Sequence, residues 1–162
     1  MKSRMAVALL LGGLVSAGAF AQTLDDLKND TKNTENVLTY GMGYHQQRYS
    51  TLNQINKRTV RRLVPVWNLS LNNDFGEQAQ PFVYDGVLYA TNVKRTVAID
   101  VATGRQLWQA VSDWDPATAR VICCGLSTRG VAVYNGKVFV GTIDAHLKAL
   151  RSEEHTSELQ SR

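Results

Sequence analysis

Along the second half of the chain the apolar positions come in short alternating runs separated by turn residues. Phe82-Val-Tyr84, Val87-Leu-Tyr-Ala-Thr91 and Val97-Ala-Ile99 form one set; Val131-Ala-Val-Tyr134, Lys137-Val-Phe-Val-Gly-Thr142 and Leu147-Lys-Ala-Leu150 form another. A period of two puts alternate side chains on opposite faces of a sheet, so each run predicts a strand. Asp85-Gly86 and Asn135-Gly136 stand between the first two runs of each set, where two residues at positive φ close a hairpin. Residues 66–71, Val-Trp-Asn-Leu-Ser-Leu, also alternate and predict a further strand. Upstream the pattern changes. Residues 53–63 can form a short helix capped by Asn53 or Asn56 and ended by Pro65. Residues 22–36 are polar with six charges and predict a short surface helix or an extended arm.

The two sets repeat. Asp85-Gly-Val-Leu-Tyr-Ala-Thr91 overlays Asn135-Gly-Lys-Val-Phe-Val-Gly141 at an offset of fifty residues, with Val97-Ala-Ile99 and Lys148-Ala-Leu150 in nearly the same register. A β-rich unit recurring at this length points to propeller blades, which cannot bury their faces without neighbours, and this chain is too short to close such a ring. Two unrelated hairpins of a β-sandwich would give the same periodicity. The intervening Asp100-Val-Ala-Thr103-Gly104-Arg-Gln-Leu-Trp108 sharpens the picture. Asp100 can accept the N–H groups of the turn, Gly104 can take a positive φ, and Trp108 supplies a large ring to wedge between sheets.

Composition adds little to this and the N-terminus adds more. The 162 residues carry a net charge of +4, and the densest basic cluster is Lys57, Arg58, Arg61 and Arg62. No nucleic-acid module surrounds that cluster, which reads as a solvated face, so no nucleic-acid partner is expected. Residues 1–21 combine Lys2 and Arg4, an apolar run from Ala6 to Val15 broken only by Gly12 and Gly13, and the small-x-small Ala19-Phe20-Ala21. This is the anatomy of a cleavable signal peptide. The run is shorter than the roughly 20 residues of a membrane-spanning helix, so no stable membrane anchor is expected. Export implies an oxidising compartment such as the periplasm.

That compartment bears on Cys123 and Cys124, the two cysteines of the chain, which are neighbours. Adjacent Cα atoms are about 3.8 Å apart, below the roughly 4.4–6.8 Å of an ordinary disulfide, so a bridge here would be strained. It would also close almost no chain loop and would be a poor staple. Two free thiols on opposite faces of a strand are the other reading, and spacing alone leaves both open. His45, His146 and His155 lie far apart with no metal-ligand spacing.

From about Asn36 to Leu150 the chain resembles the N-terminal part of pyrroloquinoline-quinone (PQQ) dependent alcohol dehydrogenases of the methanol/ethanol dehydrogenase family. The resemblance is carried by Tyr40-Gly-Met-Gly-Tyr-His-Gln-Gln-Arg-Tyr-Ser50, Gly76-Glu-Gln-Ala-Gln-Pro81, the Asp100–Trp108 motif, Cys123-Cys124 followed by Arg129-Gly130, and Val138-Phe-Val-Gly-Thr-Ile-Asp-Ala145. It implies an all-β fold: an incomplete β-propeller made of the first blades of an eight-bladed quinoprotein propeller, preceded by a short N-terminal helix or arm. It implies that Cys123 and Cys124 form a vicinal disulfide lying flat against one face of PQQ, and that Arg129 and Glu77 contact the cofactor. It further implies a periplasmic enzyme that oxidises primary alcohols to aldehydes and passes electrons to a cytochrome c, with calcium or a lanthanide ion beside the quinone. The ligands of that ion and the catalytic base belong to later blades, so no metal-binding or catalytic residue is expected here, and the chain alone is expected to be inactive. A propeller serving only as a binding scaffold is the alternative. It would keep the tryptophan motif without needing Glu77, Cys123, Cys124 and Arg129 together.

Residues 151–162 break the pattern. After Leu150 the repeat calls for Asp or Asn, then x-x-Thr-Gly and Trp, whereas the chain reads Arg-Ser-Glu-Glu-His-Thr-Ser-Glu-Leu-Gln-Ser-Arg. This tail resembles a translated sequencing adapter and is expected to be foreign and without a strand. The expected organisation is thus a signal peptide over 1–21, truncated propeller blades over 22–150 and a foreign tail over 151–162.

Overall fold

The computed structural model describes residues 22–73, 75–152 and 159–161; residues 1–21, where a signal peptide is expected, lie outside them. The polar arm begins with a five-residue helix, α1 (Leu24–Lys28), whose Thr23 and Asp26 form a reciprocal capping box. The arm is then tied down by one buried carboxylate. Asp30 accepts the N–H groups of Leu38 and Thr39 at 3.0 and 2.9 Å. No helix among the described residues is long and apolar enough to cross a membrane.

Eight strands follow among the described residues, in two antiparallel sheets of four, each with its strands in sequence order. The first holds β1 (Phe82–Tyr84), β2 (Val87–Thr91), β3 (Arg95–Asp100) and β4 (Gln106–Val111); the second holds β5 (Val131–Tyr134), β6 (Lys137–Gly141), β7 (Leu147–Arg151) and β8 (Leu159–Ser161). Both predicted turns close their hairpins as expected, with φ of 48° and 72° at Asp85 and Gly86 and 47° and 68° at Asn135 and Gly136. The repeat extends to the backbone beyond the hairpins: Val101 donates to Gly86 O at 3.0 Å and Ser152 to Gly136 O at 2.9 Å. Two successive blades of an incomplete propeller are the result.

The apolar faces meet between the sheets. Trp108, 5% exposed, packs with Tyr89, Ala98, Val133, Val138, Val140 and Leu150. Its indole Nε1 crosses to the second sheet and donates to Ser152 O at 2.7 Å. The docking expected of Trp108 is therefore present, and its polar edge is satisfied where the ring is buried. Asp100 accepts both the N–H and the hydroxyl of Thr103, at 2.8 and 2.7 Å, as the turn motif requires.

Three expectations need correction. Residues 66–71 join no ladder among the described residues: the segment has no regular secondary structure, with Val66 83% exposed, and alternation without an adjacent strand gives no sheet. It is held instead by Trp67, whose Nε1 donates to Val101 O at 2.8 Å. Val101 is the counterpart of Ser152, so Trp67 docks on the first sheet as Trp108 docks on the second. Residues 53–63 form not a helix but loops and a single 3-10 turn, Val60–Arg62. Asn56 Oδ1 accepts the N–H groups of Arg58 and Thr59, and the Thr59 hydroxyl donates to Gln54 O. These local bonds compete with the helical ladder. The terminal segment, read as strandless, supplies Arg151 to β7 and all of β8, which pairs antiparallel with β7 through Leu147↔Ser161, Lys148↔Gln160 and Ala149↔Leu159. An open strand edge can be paired by the backbone of almost any sequence.

Gly104 is required twice, by its φ of 71° and by Trp67, because a Cβ there would lie 2.5 Å from the indole ring. Gly104→Ala should cost about 1–3 kcal/mol in backbone strain alone. In 1H–15N spectra it should displace the Trp67 indole N–H signal while leaving that of Trp108 in place; an unmoved Trp67 signal would refute the docking. A second expectation concerns pH. The hydroxyl and N–H of Thr103 hold the Asp100 carboxyl below its usual 3.8. A depressed carboxylate stabilises the turn above its unfolded pKa and loses that contribution as pH falls through the lowered value. Thr103→Val should move the Asp100 titration, followed by carboxyl 13C shifts, back up toward 3.8.

Candidate functional site

The residues singled out in the sequence lie on two loops, 72–81 before β1 and 112–130 before β5. Strand entry brings the loop ends together. Gln80 and Gly130 form a parallel bridge, and a Cβ on Gly130 would lie 3.2 Å from Gln80 O. The Gln80 side chain faces the arm, donating to Thr39 O at 3.0 Å and accepting from Gly41 N–H at 2.9 Å.

Glu77 sits on the first loop, exposed, with Oε1 accepting from Asn73 Nδ2 at 2.9 Å and Asn92 Nδ2 at 3.2 Å. Arg129 sits at the end of the second, its Nη1 donating to Oε1 of Gln78, the residue after Glu77. The carboxylate and the guanidinium thus belong to one connected surface, joined by a side chain that the sequence reading passed over. Cys123 and Cys124 are bonded to each other with Cα atoms 3.8 Å apart, which resolves the alternative left open by spacing. The pair is exposed, with Cys124 at φ 73° and Gly125 at φ 89°. Successive positive φ values turn the chain sharply and present the bridge outward.

The second loop is anchored along its length to the end of β2 and the turn that follows it. Ser112 N–H donates to Lys94 O and Trp114 Nε1 to Val93 O, both at 2.8 Å. Buried Thr128, beside Arg129, reaches Thr91 O at 3.3 Å. Between these anchors, Asp115 caps the 3-10 turn Pro116–Arg120 that leads into the cysteines. A cavity of about 500 Å³ opens where the arm meets the starts of β1 and β5, lined in part by Thr39, Tyr40, Gln80, Arg129, Gly130 and Phe139. Of the four sequence-predicted site residues, Arg129 lines it; Glu77 and the cysteines do not.

His45 is exposed, His146 Nδ1 lies 3.1 Å from Asp144 Oδ2, and His155 is outside the described residues. A bond from the Thr142 hydroxyl, with a smaller contribution from His146, holds the Asp144 carboxyl below its usual range. No three His, Cys, Asp or Glu side chains gather as a ligand group among the described residues. Sequence reasoning missed Trp67, Gln78, Asn92 and Thr128. The repeated apolar-Trp pair, Val66-Trp67 and Leu107-Trp108, was a usable signal for the first; the other three act through contacts between distant segments.

Comparison with known proteins agrees with this architecture. Residues 38–156 match the family model described as PQQ, glucose/ethanol/alcohol dehydrogenase, β-propeller domain, a match that runs past Leu150 into the terminal segment. The chain is 42% identical over 149 residues to quinoprotein ethanol dehydrogenase of Pseudomonas aeruginosa, covering 90% of this chain and 24% of that protein. It is 43% identical over 140 residues to 1-butanol dehydrogenase (quinone) of Thauera butanivorans, covering 85% and 22%. Among solved structures, the quinohemoprotein alcohol dehydrogenase ADHIIG of Pseudomonas putida superposes with a TM-score of 0.77 at 34% identity, over 85% of this chain and 21% of that one. The chain therefore spans about a quarter or less of the length of these relatives. With the repeated blades, the docked tryptophans and the vicinal disulfide in place, the chain belongs to the PQQ glucose/ethanol/alcohol dehydrogenase β-propeller family.

Proposed function

We propose that the chain is the N-terminal portion of a periplasmic quinoprotein that oxidises primary alcohols to aldehydes and delivers the electrons to a cytochrome c. The observation that carries this reading is the vicinal disulfide exposed on the same anchored loop as Arg129, with Arg129 joined through Gln78 to the Glu77 loop. The chemistry of the donor set fits PQQ. A guanidinium suits the anionic oxygens of a tricarboxylate quinone, the Glu77 carboxylate suits an N–H donor, and the disulfide offers a compact apolar plate to a planar ring. When bound, PQQ supplies the redox chemistry. Cys123, Cys124, Arg129 and Glu77 would then form one wall of its site and orient it.

The rest of the enzyme belongs, in this reading, to blades beyond this chain: the calcium or lanthanide ligands, the base toward the alcohol, and the surface that meets the cytochrome. Residues 1–21 act as the export signal, residues 22–150 are genuine blades, and 151–162 are foreign, with β8 a surrogate for the blade's own fourth strand. The departure from the repeat after Leu150 supports the last point, since His155 stands where the first repeat has Gly104.

Sequencing the native locus across codon 151 with long reads should show the frame continuing through Asp/Asn-x-x-Thr-Gly to Trp; a true stop after codon 162 would remove catalysis from the proposal. In the extended enzyme, Cys123→Ser with Cys124→Ser should weaken PQQ retention, measured by equilibrium dialysis, and unchanged retention would sink the plate role. Arg129→Lys keeps the charge but loses the planar fork, and should retain PQQ roughly tenfold less well, the scale of one charge-assisted hydrogen bond.

A further inference from the structure

Asn92 is 3% exposed and stands at the start of the turn between β2 and β3. Every hydrogen-bonding position of its side chain is used. Oδ1 accepts the N–H groups of Lys94 and Arg95, both at 2.9 Å. Nδ2 donates to Leu71 O and to Glu77 Oε1, both at 3.2 Å. One half of the amide therefore shapes the turn, and the other half holds the loop that carries Glu77. The Lys94 ammonium adds a second contact to that loop, 5.4 Å from the centroid of the Phe75 ring. The same turn accepts two anchors of the other loop, from Ser112 and Trp114, and a third, from Thr128, reaches Thr91 at the end of β2 just before it.

Two loops that are both bonded to one short turn have their middle stretches placed relative to each other by it. We propose that Asn92 is a positioning residue for Glu77. Its amide fixes the carboxylate against the β2–β3 turn, so the turn that anchors the Arg129 loop also sets where Glu77 is presented. The toward-cofactor part of this role rests on the reading of Glu77, Cys123, Cys124 and Arg129 as a PQQ wall; the placement of the carboxylate does not. A buried amide with both donors engaged suits this task, because a lost partner there leaves a polar group unsatisfied and the loop without a defined position.

The informative variant is Asn92→Asp in the full chain. It keeps an oxygen to accept from Lys94 and Arg95 but replaces the donor to Glu77 with a second carboxylate oxygen. Backbone 15N relaxation should then show the order parameters of residues 75–79 falling from about 0.85 to below about 0.6, with those of Lys94 and Arg95 unchanged. Adding Glu77→Gln should restore them, because the Gln amide donates to the new carboxylate. Unchanged order at 75–79, or a loss that Glu77→Gln does not recover, would overturn the positioning role. Loss of order at Lys94 and Arg95 as well would make Asn92 merely structural and would also overturn it.

Titration with PQQ itself separates the two layers. Asn92→Asp should bind roughly tenfold more weakly than the parent chain, the scale of one hydrogen bond to a charged group. Within the Glu77→Gln background, the same change should have no further effect. Equal weakening in both backgrounds overturns the role of Asn92 toward the cofactor. A parent chain that binds no PQQ, with the relaxation pattern intact, refutes the cofactor-wall reading and upholds the Asn92–Glu77 placement.

Discussion

The contact on which the rest of the molecule depends is the indole of Trp108 bridging the two sheets. A four-stranded sheet with one apolar face has nothing to bury it against by itself. Here the face of the first sheet closes on the second around Trp108, Tyr89 and Ala98 on one side and Val133, Val138, Val140 and Leu150 on the other. The ring supplies the apolar area, and its N–H, bonded to Ser152 O, fixes the sheets in one relative position. Trp67 makes the same bond to Val101 on the opposite flank of the first sheet. Blade packing is thus directional, each tryptophan reaching to the turn of the sheet that follows.

That directionality is what places the loops. Because successive sheets lie face to face, β1 and β5 enter side by side, and Gln80 and Gly130 pair directly. The residues just upstream of each entry, Gln78 and Arg129, come within hydrogen-bonding reach although fifty-one positions separate them. Side chains without an apolar role are here held in place by the end of β2 and the turn that follows it, where Asn92 Oδ1 accepts from Lys94 N–H and where Ser112, Trp114 and Thr128 donate to backbone carbonyls. Rigid strands carry the load, and the exposed loops carry the chemistry.

Backbone demand also explains where the chain departs from its own pattern. β7 presents an edge, and Leu159–Ser161 pairs with it although nothing in that segment's sequence predicts a strand. Residues 66–71 show the converse: correct alternation, no ladder partner among the described residues, and irregular backbone in place of a strand.

Period-two alternation, two hairpin dipeptides and the Asp100–Trp108 motif were enough to determine an all-β repeat, because these are local properties: the pleat, the positive φ of a tight turn, and a large ring next to a glycine. The adjacent cysteines and their spacing to Arg129 were legible in the same way, as a family resemblance carried by contiguous residues. What the sequence left undetermined was whether the two thiols are bonded, which ring Gly104 accommodates, and which groups hold Glu77 and Arg129. Those were decided by tertiary structure, since Trp67 and Val101, Gln78 and Arg129, and Asn92 and Glu77 become neighbours only when one sheet has packed against the next.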